Sequence, residues 1–184
     1  KSFKDIINKF TSNEQLKIFD LYLINRHAIG IYNSAQGTAK QKAEFVFEQT
    51  GKDVKAAVAY VKENRSAYEK SAKEIDIYQI NLINYLYKSG YFPKDLHAQF
   101  ISNIKNKQYV PLKRKLDKKE FTGETKDTTS PGASGSLQKR KGSTADILSP
   151  LDSIYGNTLS FISIAERNYA IASFFKEVQQ FKKK

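Results

Sequence analysis

Cysteine, methionine and tryptophan are all absent from the 184 residues. Without cysteine there is no disulfide, no thiolate metal ligand and no cysteine nucleophile, and a reducing compartment is permitted. Histidine occurs only twice, at 27 and 97, which leaves little for a transition-metal site. No apolar run approaches the ~20 residues that a membrane-spanning helix needs. The opening stretch from Lys1 to Phe10 alternates charge and apolarity, unlike the apolar core of a signal peptide. A complete intracellular protein starts with methionine, and a following lysine would keep it in place. The expectation is therefore a domain cut from a longer protein, or a processed product.

Motifs that carry chemistry are missing as well. Neither a Gly-x-Gly-x-x-Gly turn nor a Walker A lysine pattern occurs. There is no His-Glu-x-x-His, no carboxylate-rich metal cluster, and no serine in a Gly-x-Ser-x-Gly elbow. Glu74 and Asp76 are two residues apart, so on a helix they point in different directions and are expected to be solvated. No enzyme, cofactor or metal is expected within this stretch.

What is present is helical pattern. Hydrophobic residues make up 40% of the chain, including 12 Phe and 11 Tyr, enough for an aromatic-rich core and against wholesale disorder. Thr11-Ser12-Asn13-Glu14 has capping-box spacing and opens a helix expected to run from Asn13 to Ile29 and stop at Gly30. His27 then falls in its last turn, where a cation complements the helix dipole. Ala35, Ala39, Ala43, Val46 and Phe47 form one stripe of a second helix, whose small residues suggest close helix packing. Asp53 is a natural N-cap and Gly90 a natural C′ residue. Between them the pattern fits one long helix, 53–89, with room for a bend near Asn64 to Ser66, at least as well as two helices, and its second half carries Ile75, Tyr78, Leu82 and Leu86 on one face and Ile77, Ile80 and Tyr87 on the other. A helix apolar on both faces belongs between neighbours. A short helix over about 94–105 follows, with His97 at the surface or half-buried. The last helix, 151–181, carries Ile154, Phe161, Ile164, Ala165, Ile171, Ala172, Phe174, Phe175, Val178 and Phe181 on one widened stripe. Arg167 and Asn168 interrupt it and are expected to face solvent.

The stretch between the last two helices is different. Tyr109-Val110-Pro111-Leu112 reads as extended, since Pro111 biases Val110 away from the α region. Thr128 to Ser136 has the composition of a flexible tip. Residues 105–141 hold eleven Lys and Arg against four Asp and Glu, a net of +7 of the chain's +12. The ends, Tyr109–Leu112 and Ile147–Leu151, are expected to be ordered on the helical body and able to pair as a short β-ribbon. The middle, about Gly123 to Ser136, is expected to be mobile.

The fold class expected is therefore all-α: a bundle of five or six helices with a long basic arm, and room for a short β-ribbon, between the last two. Its parts are a helical block over 1–107, the arm over 108–150 and a C-terminal helix over 151–184 packing back on the block. The helices over 53–89 and 151–181 are expected at the centre. The candidate binding residues, for nucleic acid or another partner, are Lys107, Tyr109, Lys113, Arg114, Lys115, Lys118, Lys119, Lys139, Arg140 and Lys141. The lysines and arginines would meet phosphates of DNA or RNA without sequence preference, with Tyr109 and Phe121 stacking on unpaired bases. An equally simple reading is that the charge keeps a loop soluble and unpaired.

The order of short motifs is suggestive. Tyr-Val-Pro-Leu-Lys-Arg (109–114) precedes a variable loop, then Lys-Arg-Lys-Gly-Ser (139–143), Asp-Ile-Leu-Ser-Pro-Leu (146–151) and Ala-Glu-Arg-Asn (165–168). Over roughly residues 75–180 this resembles helical domains of the large multidomain "polyvalent" proteins of bacteriophages and mobile elements. The resemblance implies a non-catalytic α-helical module of a packaged and ejected virion protein. It further implies other domains or subunits of that larger protein as partners, in the virion interior or the bacterial cytoplasm.

Overall fold

A computed structural model of the chain describes residues 1–112 and 149–181. Six helices occur among them: α1 (Phe3–Ile7), α2 (Asn13–Ser34), α3 (Ala39–Thr50), α4 (Val54–Lys88), α5 (Lys94–Lys107) and α6 (Pro150–Phe181). The all-α class and the helix number agree with the sequence pattern. No strand occurs among the described residues. Tyr109–Leu112 has no regular structure, and Ile147 and Leu148, the other half of the expected β-ribbon, lie outside the described residues, as does the expected mobile tip.

Local chemistry sets most of the boundaries. Ser2 and Asp5 form a capping box on α1, a helix the sequence pattern did not suggest, and Thr38 with Gln41 forms another on α3. Ser12, rather than Thr11, caps α2 by accepting the Gln15 N–H, while Gln15 Oε1 takes the Thr11 N–H. Asp53 caps α4, which runs unbroken for 35 residues until Gly90, at φ +79°, turns the chain. Pro150 sits at the first position of α6, where its missing N–H costs nothing. The Ser149 hydroxyl there accepts from the Asp152 N–H.

α4 is the spine and touches each of the other five helices. Contacts ascend together along α2 and α4: Ile18 with Tyr60, Tyr22 with Glu69, Arg26 with Asp76. These two helices therefore run parallel. α6 also runs parallel to α4, since Tyr78 meets Thr158 and Tyr85 meets Glu166 and Tyr169. α5 runs back against α4, with His97 on Asn84 and Tyr109 on Gln79. Parallel neighbours need a returning connection, and α3 and α5 supply the two.

One core cluster joins Ile6, Phe19, Tyr22, Ala72, Ile75, Val110, Leu151 and Ile154. A second joins Ile83, Leu86, Phe92, Ile104, Phe161, Ile164 and Ala165. The buried stripe of α4 is Ser71, Ala72, Ile75, Gln79, Ile83 and Leu86. Of the expected second face, Ile80 and Tyr87 are partly buried against the second cluster, whereas Ile77 is 58% exposed. The alanine stripe of the second helix is also corrected. Ala35 ends α2, Ala39 and Ala43 are exposed, and α3 buries only Val46 and Thr50 among its described side chains.

Gly30 does not stop α2. The helix continues through it for four residues, because Gly30 is where α2 meets the end of α5: a Cβ there would lie 2.4 Å from the Lys107 carbonyl oxygen and 2.6 Å from Gln108 Oε1. His27, one turn earlier, is 2% exposed, and its Nδ1–H donates to that same carbonyl at 2.7 Å. A carbonyl can only accept, so Nδ1 carries the proton. His27 thus satisfies an orphan carbonyl at the C-terminus of α5, not of its own helix. Gln108, in the left-handed region at φ 43°, completes the stop.

In an ordinary helix interior Gly→Ala stabilises by roughly 1 kcal/mol. At Gly30 the added methyl would meet backbone, which cannot swing aside. Gly30→Ala is expected to destabilise the protein by about 1–3 kcal/mol, read as a lower urea midpoint. A midpoint equal to or above that of the unsubstituted protein would show that α2 and α5 are not in this close contact.

Candidate functional site

A chamber of about 990 Å³ lies between the end of α2, the start of α3, and the facing sides of α4, α5 and α6. Five elements meet there because α3 and α5 are both returning connections and neither fills the space beside α4. Its aliphatic lining consists of Ile31, Leu82, Ile83, Leu96, Ile104 and Ile154. Phe45, Phe100, Tyr109 and Phe161 stand in its walls.

The polar part is unusual in kind. Six carboxamides line the chamber, namely Gln36, Gln41, Gln79, Gln99, Asn103 and Asn157, while none of the described Asp and Glu does. The one full charge in the described lining is Lys107, which makes no ion pair among the described residues. Gln79, 7% exposed, donates Nε2–H to the Tyr109 carbonyl at 3.0 Å and so holds that wall in place. The His27 ring meets Tyr109 edge-on at 5.5 Å. Gln41 is engaged in the Thr38 cap. Asn157 Oδ1 is shut off from solvent and has no hydrogen-bond partner among the described residues, a costly state for an amide.

A separate polar seam lies between α2 and α4. Arg26 grips Asp76 with two nitrogens, at 3.0 and 2.7 Å, and its Nε lies 3.6 Å from Glu69. Glu69 also accepts from the Tyr22 hydroxyl at 2.6 Å. Burial raises the Tyr22 phenol, with the Glu69 hydrogen bond adding to it. Burial also raises the Asp76 carboxyl, a penalty that Arg26 offsets only in part. For Arg26 itself burial works against the charge, yet the Asp76 hydrogen bond and the two carboxylate charges more than compensate and hold it protonated. Asp20 is raised by burial as well, while accepting the Leu151 N–H at 3.1 Å where α6 begins. Glu74 bonds Lys1 and Lys9, which hold its carboxyl down at about 2. Glu74 and Asp76 do diverge, as two-residue spacing requires, but both are ion-paired rather than solvated. These carboxylates are structural partners.

Of the ten candidate binding residues, Lys107 and Tyr109 are described, and both line the chamber. Lys113, Arg114, Lys115, Lys118, Lys119, Lys139, Arg140 and Lys141 lie outside the described residues, as does Phe121. His97 is half-buried as expected, stacked on Tyr87 with centroids 4.3 Å apart and bonded to Asn84. Arg167 is exposed, also as expected. The chamber itself has no sequence signal, because its carboxamides come from four helices and the turn that precedes one of them. Among the described residues no group of three or more His, Asp or Glu is placed to hold a metal, and no helix is long and apolar enough to cross a membrane.

The site thus belongs to an all-α bundle with an amide-lined chamber that carries one lysine among its described lining residues. No known protein family matches the chain, and neither the curated proteins nor the solved structures hold a significant match.

Glu74 gives the ion pairs a pH signature. Its carboxyl titrates near 2 in the folded state against an ordinary 4.5, so between these values the unfolded chain binds more protons. Stability from Glu74 is therefore complete above about pH 4.5 and is lost as pH falls toward 2. Asp76 and Asp20, both raised, act in the opposite sense, so the comparison needed is with Glu74→Gln. That variant is expected to lack part of the acid-side fall in urea midpoint, and identical pH profiles for the two proteins would show that the pairing contributes nothing.

Proposed function

We propose that this chain is a non-catalytic interaction module, a helical domain that docks other domains or subunits of a larger, virion-associated phage protein. The observation that carries the docking reading is the surface of α6. Of the twelve exposed large hydrophobic side chains among the described residues, seven lie on it: Tyr155, Leu159, Ile162, Ile171, Phe174, Phe175 and Phe181. Its buried residues end at Ala165. From there to Phe181 the helix extends for about 24 Å at ~1.5 Å per residue with an apolar side that the other described residues leave uncovered. The expected packing of 151–184 back on the block is thus limited to the first half of the helix. Exposed contiguous apolar surface of this kind marks contact surfaces. The phage setting is supported by the order of motifs over 109–168.

A second reading is favoured by charge alone. The net +7 over 105–141 suits the phosphates of DNA or RNA.

Two substitutions on one helix separate a contact surface from a core. Phe161→Ala is expected to cost about 3–5 kcal/mol, whereas Phe174→Ser stays within about 0.5 kcal/mol. Benzoylphenylalanine at position 175 of the parent protein is expected to crosslink to another domain or subunit, and at the similarly exposed Val58 to do so far less. Equal yields at the two positions would remove α6 as the docking element.

Nucleic-acid binding has its own measurement, a gel-shift titration at several salt concentrations. The charge reading predicts a log–log slope that becomes shallower by roughly 2.7 when Lys113, Arg114 and Lys115 are all neutralised, at ~0.9 per duplex phosphate contact. An absence of binding at low salt, or binding indifferent to salt, would remove that reading.

A further inference from the structure

We infer that the outer half of α6 pairs antiparallel with the same half of a second copy of this chain. The inference rests on the docking reading of α6 and names the partner.

The seam is distinct from the face that α6 turns to its own bundle. In the first half the inward line runs through Phe161 and Ala165, both buried. At three- and four-residue steps that line continues through Asn168, Ala172, Lys176 and Gln179. It turns polar where the bundle ends and calls for no further cover from the chain's own helices. Ile171, Phe174, Val178 and Phe181 follow a different line, roughly 140° round the helix at ~100° per residue. Their steps of three, four and three are those of a two-helix seam.

The length of the projecting helix suits a second copy. Tyr85 of α4 meets Glu166 and Tyr169, and α4 ends three residues later at Lys88. The parallel α6 therefore passes the end of its neighbour near residue 172 and projects for about ten residues, ~15 Å. An antiparallel pair with Ile171 of one copy on Phe181 of the other overlaps over that same length. Each helical body then begins where the other copy's α6 ends, and the two do not collide.

Side-chain size selects the direction. Paired antiparallel about position 176, Ile171 meets Phe181 and Phe174 meets Val178, and the two-fold axis repeats both contacts. All four layers then set one aromatic ring against one β-branched side chain, the large-against-small facing that fills a helix interface evenly. A parallel pair in register would stack Phe on Phe and Val on Val, leaving some layers overfull and others thin. It would also bring together the lysines at 182–184 of both copies, which an antiparallel pair keeps at opposite ends.

The area is sufficient. Phe175 borders the seam, and Ile171, Phe174, Phe175 and Phe181 are 49–79% exposed. At ~150–250 Å² per aromatic side chain, covering them on both copies removes about 1,000 Å² from water. That reaches the lower bound of a specific interface, so the dimer is expected to exchange with monomer.

The test is sedimentation equilibrium of the full chain from micromolar to millimolar concentration, where a monomer–dimer equilibrium is expected. Phe174→Ser is expected to raise the dissociation constant about a hundredfold, because a two-fold pair loses the same ring twice. Ile77→Ser, which removes an exposed apolar side chain from α4, is expected to leave it unchanged. Direction is read from disulfide formation, against a background free of native cysteine. Phe174→Cys and Val178→Cys are expected to crosslink when the two variants are mixed and not when each is kept apart. The inference is overturned if the chain stays monomeric to millimolar concentration, including the case in which it co-sediments with phosphatidylserine vesicles instead. It is overturned equally if either cysteine variant crosslinks to itself as fast as to the other, or if Phe174→Ser leaves the dimer as tight. Should it fail while benzoylphenylalanine at position 175 still crosslinks another domain of the parent protein, the docking reading stands with a different partner.

Discussion

The grip of Arg26 on Asp76 is the constraint on which the arrangement of the other elements depends. Apolar packing between two long helices tolerates sliding, because one aliphatic side chain can replace another at a small cost. A buried guanidinium cannot slide. Displacing α2 along α4 by one turn would leave Arg26, Asp76 and Glu69 buried without partners, at a cost of about 3–5 kcal/mol for a broken buried pair. The raised Asp76 carboxyl marks the desolvation already incurred, so this pair contributes register more than net stability. Tyr22 on Glu69 and Tyr60 on the Ile18 carbonyl extend the same registration toward the start of α2.

Once α2 is in register with α4, polar side chains on this pair position the later helices. His27 and Gly30 receive the last carbonyl of α5, one by donating a hydrogen bond and the other by having no side chain to obstruct it. Gln79 of α4 holds the Tyr109 carbonyl, and Val110 and Pro111 are buried next to it. Asp20 receives the first free N–H of α6, and Leu151 joins the same core cluster as Val110. The described residues on either side of 113–148 are therefore held by one helix pair. The chamber is a consequence of this plan. Parallel α2, α4 and α6 require two returning helices, and α3 and α5 return on either side of a space that no other described element closes.

The legible part of this fold is local. Asp53 and Gly90 bracket α4 because capping and left-handed turns depend on a few neighbouring atoms, so their residue signature survives in any context. Gly30 misleads for a related reason. Lack of a side chain suits both a helix stop and a close helix contact, and only the position of Lys107, far along the chain, decides between them. The reasoning for His27 points to a helix C-terminus but to the wrong helix: the ring donates to the last carbonyl of α5 and not to its own helix. Ile77 and the run from Ile171 to Phe181 show the limit of periodicity, which reports that a face is apolar and is silent about what covers it. Glu74 and Asp76 look solvated in the sequence because their partners, Lys1, Lys9 and Arg26, approach from elsewhere in the chain. The chamber is illegible altogether: its amides are scattered from Gln36 to Asn157, and no spacing rule links them.

The two halves of α6 show how one pattern can serve opposite ends. Up to Glu166 the helix is held by Tyr78 on Thr158, by Tyr85 on Glu166, and by Phe161 and Ile164 in the core. Beyond Tyr169 its described residues are exposed or at most half-buried, although Ile171, Phe174, Phe175, Val178 and Phe181 keep the spacing of a packed face. Isolated helical stretches of this length are marginal in water, since nucleation is costly and propagation adds little per residue. Here the anchored first half supplies the nucleus, so the second half needs only propagation to persist. A partner that covers it would then bury aromatic side chains on a helix already formed. The ordering entropy that weakens the binding of unstructured segments would be largely absent, which is the physical advantage of extending a docking helix out of a rigid core.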